Sequence, residues 1–341
     1  MPASAEPEIP MLRIGLNPYG LTYHLGLQGR DTPRANPAGA GLDGFIAIAE
    51  ELGAKVLEIY QPWLAALDAR GLAALRERLA ALGMVPVVSA GLAGMGPVED
   101  TLRTAQALGA RVIRLGLSPV LCGDRNAWGP KWRELTETIR NALLRLAPMA
   151  ADAGLVFAIE NHQDFTSREL VAFCEMAGPG LGICFDTGNA FPVAEAPLDF
   201  AHRVAPHVRH LHLKDYRVQF TGEGFRLVRC AIGDGAVPFP GITAILARHH
   251  DSLTAVLEPG ALEARHVRLL TPDWWNGYAP VSAPELAACL AAARLNRLPE
   301  EVDARTPWER GADGELVAYE LAMIRRSAAA MASLEWMETE A

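Results

Sequence analysis

Eight short apolar segments recur along the chain, and stretches with helical periodicity separate them. The apolar segments are rich in β-branched residues and span residues 11–16, 55–60, 84–89, 111–117, 155–162, 181–189, 208–215 and 253–260. Helices are predicted at 44–53, 72–83, 98–109, 132–154, 167–178, 198–208, 242–250 and 283–295, and several of them end at glycine, a common residue just after a helix. Eight strands that each lead into a helix predict a single (β/α)₈ barrel. A doubly wound open sheet is the alternative, disfavoured because no glycine-rich phosphate motif follows the first strand.

The barrel is predicted to occupy residues 11–300, after a flexible N-terminal tail at 1–10. A C-terminal helical extension follows at 301–341, with one helix near 314–333 whose apolar face would dock on the barrel or on a second subunit. Two connections, at 17–41 and 259–280, are too long for ordinary turns between strand and helix. Because the first and last strands of a closed barrel are neighbours, both loops should rise over the mouth, and we expect them to act as lids rather than as passive surface loops.

Composition narrows the functional classes. The chain has 341 residues and a net charge of −9, which argues against a general affinity for nucleic acid or for anionic membranes. Its five cysteines form no CxxC pair, so we expect a reducing, cytoplasmic environment. The acidic, proline-rich start does not resemble a signal peptide, and no apolar run reaches the roughly 18 residues that a membrane helix needs.

Polar residues close the last four apolar runs in succession: Glu160, Asp186, His212 and Glu258. Strand alternation directs all four side chains into the same mouth of the barrel. Three carboxylates brought together repel one another, and their pKa values would rise unless a cation were present. Each residue alone is explained by a salt bridge or a capped strand end, but four in matching positions favour a metal site. Oxygen-rich ligation with one imidazole suits Mn²⁺ above all, with Mg²⁺, Co²⁺ or Zn²⁺ as alternatives.

The chain resembles the xylose isomerase-like TIM barrel superfamily, which groups sugar phosphate isomerases and epimerases with class II AP endonucleases. The motifs that carry the resemblance are IENH (159–162), FDTGNAF (185–191), HLHLKD (210–215), GDGAVPF (233–239) and VLEPG (256–260). The endonucleases bind three metals through additional histidines, whereas Asn189 stands at a matching histidine position here. That difference, together with the acidic charge, argues against DNA repair.

The resemblance implies that Glu160, Asp186, His212 and Glu258 hold one metal ion that stabilises an enediolate of an open-chain sugar. It further implies that Glu160 and Glu258 move the proton, which gives isomerisation or epimerisation of a keto sugar or sugar acid. The superfamily also contains decarboxylases of 3-oxo sugar acids and other lyases, and the long loops are not standard for small ketose epimerases, so that reaction stays open. A non-catalytic sugar-binding barrel is a third interpretation. Related barrels are often dimers or tetramers, and we expect a homo-oligomer.

Three further residues point inward from strand ends. His162 can donate to a substrate oxygen as charge develops, or orient a metal ligand. Lys214 can neutralise an oxyanion or a carboxylate, or form a salt bridge with Glu160 or Asp186. Glu58 ends the second strand and can contact a substrate hydroxyl or form a salt bridge.

The two long loops are basic although the protein is acidic. They carry Arg30, Arg34, Arg265, His266 and Arg268, together with the aromatic residues Trp274 and Trp275. Positive charge over the mouth would attract an anionic small molecule, either a sugar acid or a sugar phosphate. The alternative is that these arginines pair with surface carboxylates. We expect Arg30, Arg34, Arg265, His266, Trp274 and Trp275 to contact substrate.

Overall fold

Eight parallel strands close into a barrel in the computed structural model, which describes residues 11–260 and 262–333. The barrel strands are β1 (Met11–Leu16), β2 (Val56–Tyr60), β3 (Val85–Gly91), β4 (Val112–Gly116), β5 (Val156–Glu160), β6 (Leu181–Asp186), β7 (Val208–Leu213) and β10 (Ser252–Leu257). Strand β1 pairs with both β2 and β10, and this pairing closes the ring. The predicted (β/α)₈ barrel is confirmed, and the open sheet is excluded.

Helices follow the barrel strands and cover the outside of the ring. They are α1 (Gly41–Glu51), α2 (Gln61–Ala65), α3 (Ala69–Ala81), α4 (Val98–Leu108), α5 (Lys131–Asp152), α6 (Ser167–Ala177), α7 (Pro197–Val204), α8 (Phe239–Leu246), α9 (Ala283–Ala293) and α10 (Leu316–Ser333). Local signals set their ends: Thr166 and Glu169 form a capping box that starts α6, and Gly109 ends α4 in the left-handed conformation. None of the helices in the described ranges is long and apolar enough to cross a membrane.

Side chains inside the barrel form layers. Val56, Val87 and Val256 pack together as an apolar layer of their own. Strand alternation places Glu58 and Glu258 two residues further along the same faces, towards the C-terminal mouth. The floor of the barrel is therefore apolar, and the polar residues gather at the mouth, where barrel enzymes carry their active sites.

A three-stranded antiparallel sheet, which the sequence analysis did not predict, lies outside the ring. It consists of β8 (Asp215–Thr221), β9 (Gly224–Cys230) and β11 (Arg265–Val267), in the order β11-β9-β8. Asp215 fastens its base by accepting hydrogen bonds from the backbone N–H groups of Gly233, Gly235 and Val237, at 2.9–3.1 Å. The loop at 259–280 is therefore partly built into a sheet.

The C-terminal extension packs against the barrel. Ile324 and Met331 of α10 are buried in the main hydrophobic core. Glu320 of α10 accepts hydrogen bonds from the backbone N–H groups of Tyr23 (3.1 Å) and His24 (2.8 Å) in the loop after β1. Docking on the barrel therefore accounts for the apolar face of α10. The tail at 1–10 and the last residues of the extension lie outside the described residues, and the homo-oligomer stays a prediction.

The buried Glu320 predicts a pH-dependent stability. Burial, partly offset by the hydrogen bonds from His24 and Tyr23, raises the pKa of Glu320 to about 7 from its usual 4.5. A carboxyl with a raised pKa in the folded state contributes full stability below pH 4.5 and loses that contribution as pH rises through about 7. We expect the free energy of unfolding, measured with urea, to fall by about 3 kcal/mol more in the wild type than in Glu320→Gln between about pH 5 and pH 8.

Glu315→Gln is the matched control, because Glu315 precedes α10 on an exposed position. Its pH profile should run parallel to that of the wild type. Parallel profiles for Glu320→Gln and wild type would contradict the predicted link between Glu320 and stability.

Candidate metal centre

Four strand ends bring their closing residues to one point in the mouth. Asp186 of β6 pairs in register with His212 of β7, and His212 pairs with Val256 of β10, two residues before Glu258. Each of the four residues (Glu160, Asp186, His212 and Glu258) offers one ligand atom, and these atoms all lie within 4.8 Å of one another. All four residues are buried. The parallel strands thus collect three carboxylates and one imidazole in a space of single-ion size.

Two carboxylate oxygens share one ring nitrogen at the centre of this group. Nδ1 of His212 lies 2.8 Å from Oε2 of Glu258 and 3.1 Å from Oε1 of Glu160. The contact with Glu160 has the geometry of a hydrogen bond, whereas the ion-pair contact with the buried Oε2 of Glu258 does not. A buried carboxylate oxygen without a well-formed hydrogen bond is costly, and a cation between these atoms would satisfy it. The donor set is mainly oxygen with one nitrogen, so these residues fit a divalent ion such as Mn²⁺, Mg²⁺, Co²⁺ or Zn²⁺.

Glu58 contacts the other ring nitrogen of His212. Nε2 of His212 lies 2.7 Å from Oε2 of Glu58, and the same oxygen lies 3.1 Å from Nε2 of His210. Asn17 donates to Oε1 of Glu58 at 3.0 Å. Burial would raise the pKa of Glu58, but the two histidines outweigh it and hold this pKa well below its usual range. Glu58 is therefore an ionised acceptor that orients His212 with Nδ1 towards the ligand group.

Two buried cations balance the carboxylates. Arg114 of β4 forms an ion pair with Oε2 of Glu160, and Lys214 contacts both Asp186 and Oε1 of Glu258, the latter at 2.6 Å. Burial alone would raise the pKa of Glu160 and of Glu258, but Arg114 next to the first and Lys214 next to the second hold both pKa values low. Burial raises the pKa of Asp186 to about 6 despite Lys214.

Asp186 is fixed by the chain around it. Asn189 donates to its Oδ2 at 2.7 Å, and the backbone N–H of Gly188 donates to Oδ1 at 3.1 Å. Asn161 clamps the strand end from the side, since it accepts from the backbone N–H of Asp186 at 2.7 Å and donates to its carbonyl at 2.9 Å. Contacts within the DTGN motif, and from Asn161 of the IENH motif, therefore fix the position of Asp186.

A second group of potential ligands lies one layer lower and fits a metal less well. It consists of Cys184, His210 and His212. Burial raises the pKa of Cys184 to about 12, which keeps the thiol protonated, and a metal binds the thiolate. Both ring nitrogens of His210 already have partners, Thr254 at 2.7 Å and Glu58 at 3.1 Å. These residues form a packed polar layer beneath the candidate site.

A cavity of about 310 Å³ opens beside Glu258. His162, half-buried, lines its wall, and burial lowers the pKa of His162 to about 4, so its imidazole is neutral near pH 7. The polar and aromatic side chains on the cavity wall are Tyr19, Arg114, Ser118, His162, Arg229, Glu258 and Arg265. Glu258 of the candidate ligand group is thus reached from a cavity that is large enough for a small molecule and that has charged side chains on a partly apolar wall.

Residues 46–270, more than half of the chain, match the family described as the xylose isomerase-like TIM barrel. The chain belongs to this family. The resemblance inferred from the motifs is therefore confirmed.

Individual relatives match less of the chain or at lower identity. YihM, an uncharacterized protein of Escherichia coli K12, is 32% identical over 111 residues, 32% of this chain and 34% of that protein, so the match spans about a third of it. The 3-oxo-isoapionate decarboxylase of Pectobacterium atrosepticum is 25% identical over 254 residues, 72% of this chain and 85% of that enzyme. The structure of D-psicose 3-epimerase with D-tagatose from Clostridium cellulolyticum H10 aligns with a TM-score of 0.52 at 19% identity, over 76% of this chain and 95% of that chain, which shows a shared fold.

The basic and aromatic loop residues of this family member lie in different places. Arg265 lines the cavity. Arg30 is exposed, and Arg34 pairs with Asp313 at 2.5 Å and stacks on Trp308, so its guanidinium holds the C-terminal extension. Pairing with a carboxylate thus explains Arg34, as the alternative interpretation stated. Arg268 likewise faces Asp124 at 3.2 Å.

The remaining loop residues have structural partners. His266 lies 3.0 Å from Oγ1 of Thr221. Trp274 is fully buried, donates to the carbonyl of Cys122 at 3.0 Å and stacks on Tyr278. Trp275 donates to the carbonyl of Leu269 at 2.9 Å. These contacts attach the loop after β10 to the rest of the fold. Both indole N–H groups already donate to backbone carbonyl groups, so neither is free to donate to a substrate.

Sequence reasoning missed two buried arginines of the site. Arg114 lies inside the apolar run at 111–117, and a charged residue within a predicted buried strand could have indicated a role in the site. Arg229 lies on β9, in the sheet that was not predicted. Arg114 holds a ligand carboxylate, and Arg229 lines the cavity.

The contact between Glu58 and His212 predicts an effect on metal affinity. If Nδ1 of His212 held the metal ion, the ring proton would lie on Nε2, 2.7 Å from Oε2 of Glu58, which would accept it. Glu58→Gln keeps the shape of the side chain but loses the charge, and residues that orient a ligand in this way typically change metal affinity roughly 10- to 100-fold. We expect calorimetric titration with Mn²⁺ to show a dissociation constant higher by about that factor.

Glu77→Gln is the control, because Glu77 is exposed on α3. Its Mn²⁺ affinity should equal that of the wild type. If Glu58→Gln bound Mn²⁺ as tightly as Glu77→Gln, Glu58 would have no part in orienting the ligand.

Proposed function

We propose that this protein is a divalent-metal-dependent carbohydrate enzyme that isomerises or epimerises a keto sugar or sugar acid through an enediolate. The proposed ligands are Glu160, Asp186, His212 and Glu258, and Mn²⁺ is the proposed ion. The family membership supports carbohydrate chemistry on this barrel. The observation that carries the proposal is the convergence of four buried residues, Glu160, Asp186, His212 and Glu258, whose ligand atoms all lie within 4.8 Å of one another.

The chemistry requires a Lewis acid and a base. When bound, the metal supplies a Lewis acid that stabilises negative charge on the sugar oxygens. Glu160 and Glu258 are the proposed bases, because both are ionised near pH 7 and each has one carboxylate oxygen at the ligand group. One oxygen of Glu160 forms an ion pair with Arg114, and one oxygen of Glu258 forms an ion pair with Lys214. These ion pairs fix the two carboxylates and leave the second oxygen of each directed to the ligand group.

The two carboxylates are proposed to act as a pair. A proton taken by one and returned by the other on the opposite face of the sugar gives epimerisation. A proton returned to the adjacent carbon gives aldose–ketose isomerisation. General base catalysis of this type contributes roughly 10²- to 10⁴-fold to a rate.

Two further residues support the developing charge. His162 is neutral near pH 7 and lines the cavity, so its ring N–H can donate to a substrate oxygen as negative charge forms. Lys214 touches Asp186 and Glu258, so its proposed role is to hold these carboxylates and to stabilise the ionised form of Glu258.

The proposal is tested by exchange of substrate hydrogen with solvent. D-Tagatose and its sugar acid D-tagaturonate are incubated in D₂O with the Mn²⁺-loaded protein. At least one of them should gain carbon-bound deuterium, read by mass spectrometry, and chelator treatment should abolish the gain. Glu258→Gln should lower the exchange rate by at least about 100-fold because a proton-moving group is lost. Glu137→Gln, an exposed change on α5, is the control.

Equal exchange in Glu258→Gln and Glu137→Gln would remove Glu258 from the mechanism. Sugar binding without exchange in a panel of ketoses and keto acids would contradict the enzyme proposal, and would leave the non-catalytic sugar-binding barrel as the explanation.

A second candidate is decarboxylation of a 3-oxo sugar acid, which passes through the same type of enolate. The 3-oxo-isoapionate decarboxylase match favours it, because this match covers most of both chains. The same incubation distinguishes the two reactions when it includes 3-oxo-isoapionate. Released CO₂ supports the decarboxylase, whereas deuterated sugar of unchanged carbon number supports the isomerase or epimerase.

A further inference from the structure

The additional sheet presents one polar end to the cavity. In its register Tyr216 of β8 pairs with Arg229 of β9, and Arg265 of β11 pairs with Leu227, two residues from Arg229. Paired residues and residues two apart share a face of a sheet. Arg229 and Arg265 therefore project from the same face, and both line the cavity beside Glu258.

Arg229 is buried without enough partners. Its residue is 5% exposed, and its Nε and Nη1 have no hydrogen-bond partner within the described residues. Gly260, just after β10, makes room for it, because a Cβ at that position would overlap Nη1. A buried guanidinium with two unsatisfied nitrogens is unfavourable unless an anion completes it.

Arg265 adds a second donor next to it. Its residue is 7% exposed, and its Nε also lacks a partner within the described residues. Nη1 of Arg265 pairs with Glu263 at 2.5 Å. The charges of the two guanidinium groups and of Glu263 add up to +1 at this end of the cavity, where Glu258 is left out because it belongs to the candidate ligand group. One excess positive charge matches a singly charged carboxylate better than a doubly charged phosphate.

We propose that Arg229 and Arg265 bind the carboxylate of the substrate, so that the enzyme acts on sugar acids. This inference rests on the proposed function and narrows its substrate class. Glu258, one of the proposed metal ligands, and both arginines line the same cavity, so one sugar can reach both, with its reacting carbons beside Glu258 and its carboxylate at the arginines. Guanidinium groups suit this role because they offer parallel N–H donors to a planar carboxylate.

Three sugars of matched skeleton test the inference by calorimetric binding: D-tagaturonate, D-tagatose and D-tagatose 6-phosphate. The protein should bind D-tagaturonate more tightly than the other two, with and without Mn²⁺. Arg229→Gln should weaken D-tagaturonate binding by roughly 10- to 150-fold, the range for a lost charged hydrogen bond, and should leave D-tagatose binding within about threefold. Arg265→Gln is a second, independent variant with the same expected pattern.

Arg226→Gln is the matched control. Arg226 lies on β9 with its side chain turned to Glu309, 2.6 Å away, so its loss should change the binding of none of the three sugars. Equal binding of D-tagatose and D-tagaturonate by the wild type, or tighter binding of the phosphate, would overturn the inference. So would equal losses for all three sugars in Arg229→Gln.

The two proposals fail in different ways. If the metal proposal fails, Mn²⁺ neither binds nor supports exchange, yet the preference for the sugar acid can still be read without metal. If the carboxylate subsite fails while the metal proposal holds, exchange persists and the preference for the sugar acid is absent.

Discussion

Buried negative charge at the barrel mouth is the constraint on which the rest of the site depends. Three ligand carboxylates and Glu58 lie inside the fold, where like charges repel strongly. Arg114 and Lys214 offset part of this charge. Lys214 contacts Oε1 of Glu258, and the other carboxylate oxygen, Oε2, faces Nδ1 of His212 at 2.8 Å without hydrogen-bond geometry. A divalent cation would complete the charge balance, and the barrel can keep this arrangement because the parallel strands fix the backbone of each of these residues.

The additional sheet places a different charge on the other side of the cavity. At the ligand group, Arg114 and Lys214 form ion pairs with Glu160 and Glu258 and keep these carboxylates ionised. At the sheet, Arg229 and Arg265 have side-chain nitrogens that no hydrogen-bond acceptor of the described residues satisfies. The cavity therefore has Glu258 of the negative ligand group on one side and a positive region suited to an anion on the other. A sugar acid has the matching polarity, with hydroxyl and carbonyl oxygens at one end and a carboxylate at the other.

Most of the barrel and all four proposed ligands could be predicted from sequence, because strand burial and strand alternation leave a regular pattern. The additional sheet was missed although Tyr216, Val218, Leu227 and other alternating residues carry a hairpin pattern, since the expected order of strand and helix left no place for it. The loop arginines could not be assigned from sequence. Whether an arginine such as Arg34 meets a surface carboxylate or a substrate depends on contacts with distant segments, here Asp313.

Anomalous diffraction from a crystal grown with Mn²⁺ would locate the ion. We expect one strong peak in the barrel mouth, about 2.1 Å from Nδ1 of His212 and from carboxylate oxygens of Glu160, Asp186 and Glu258. A peak bound instead by Cys184 and His210, or no peak in the mouth at a saturating concentration of Mn²⁺, would contradict the proposed metal site.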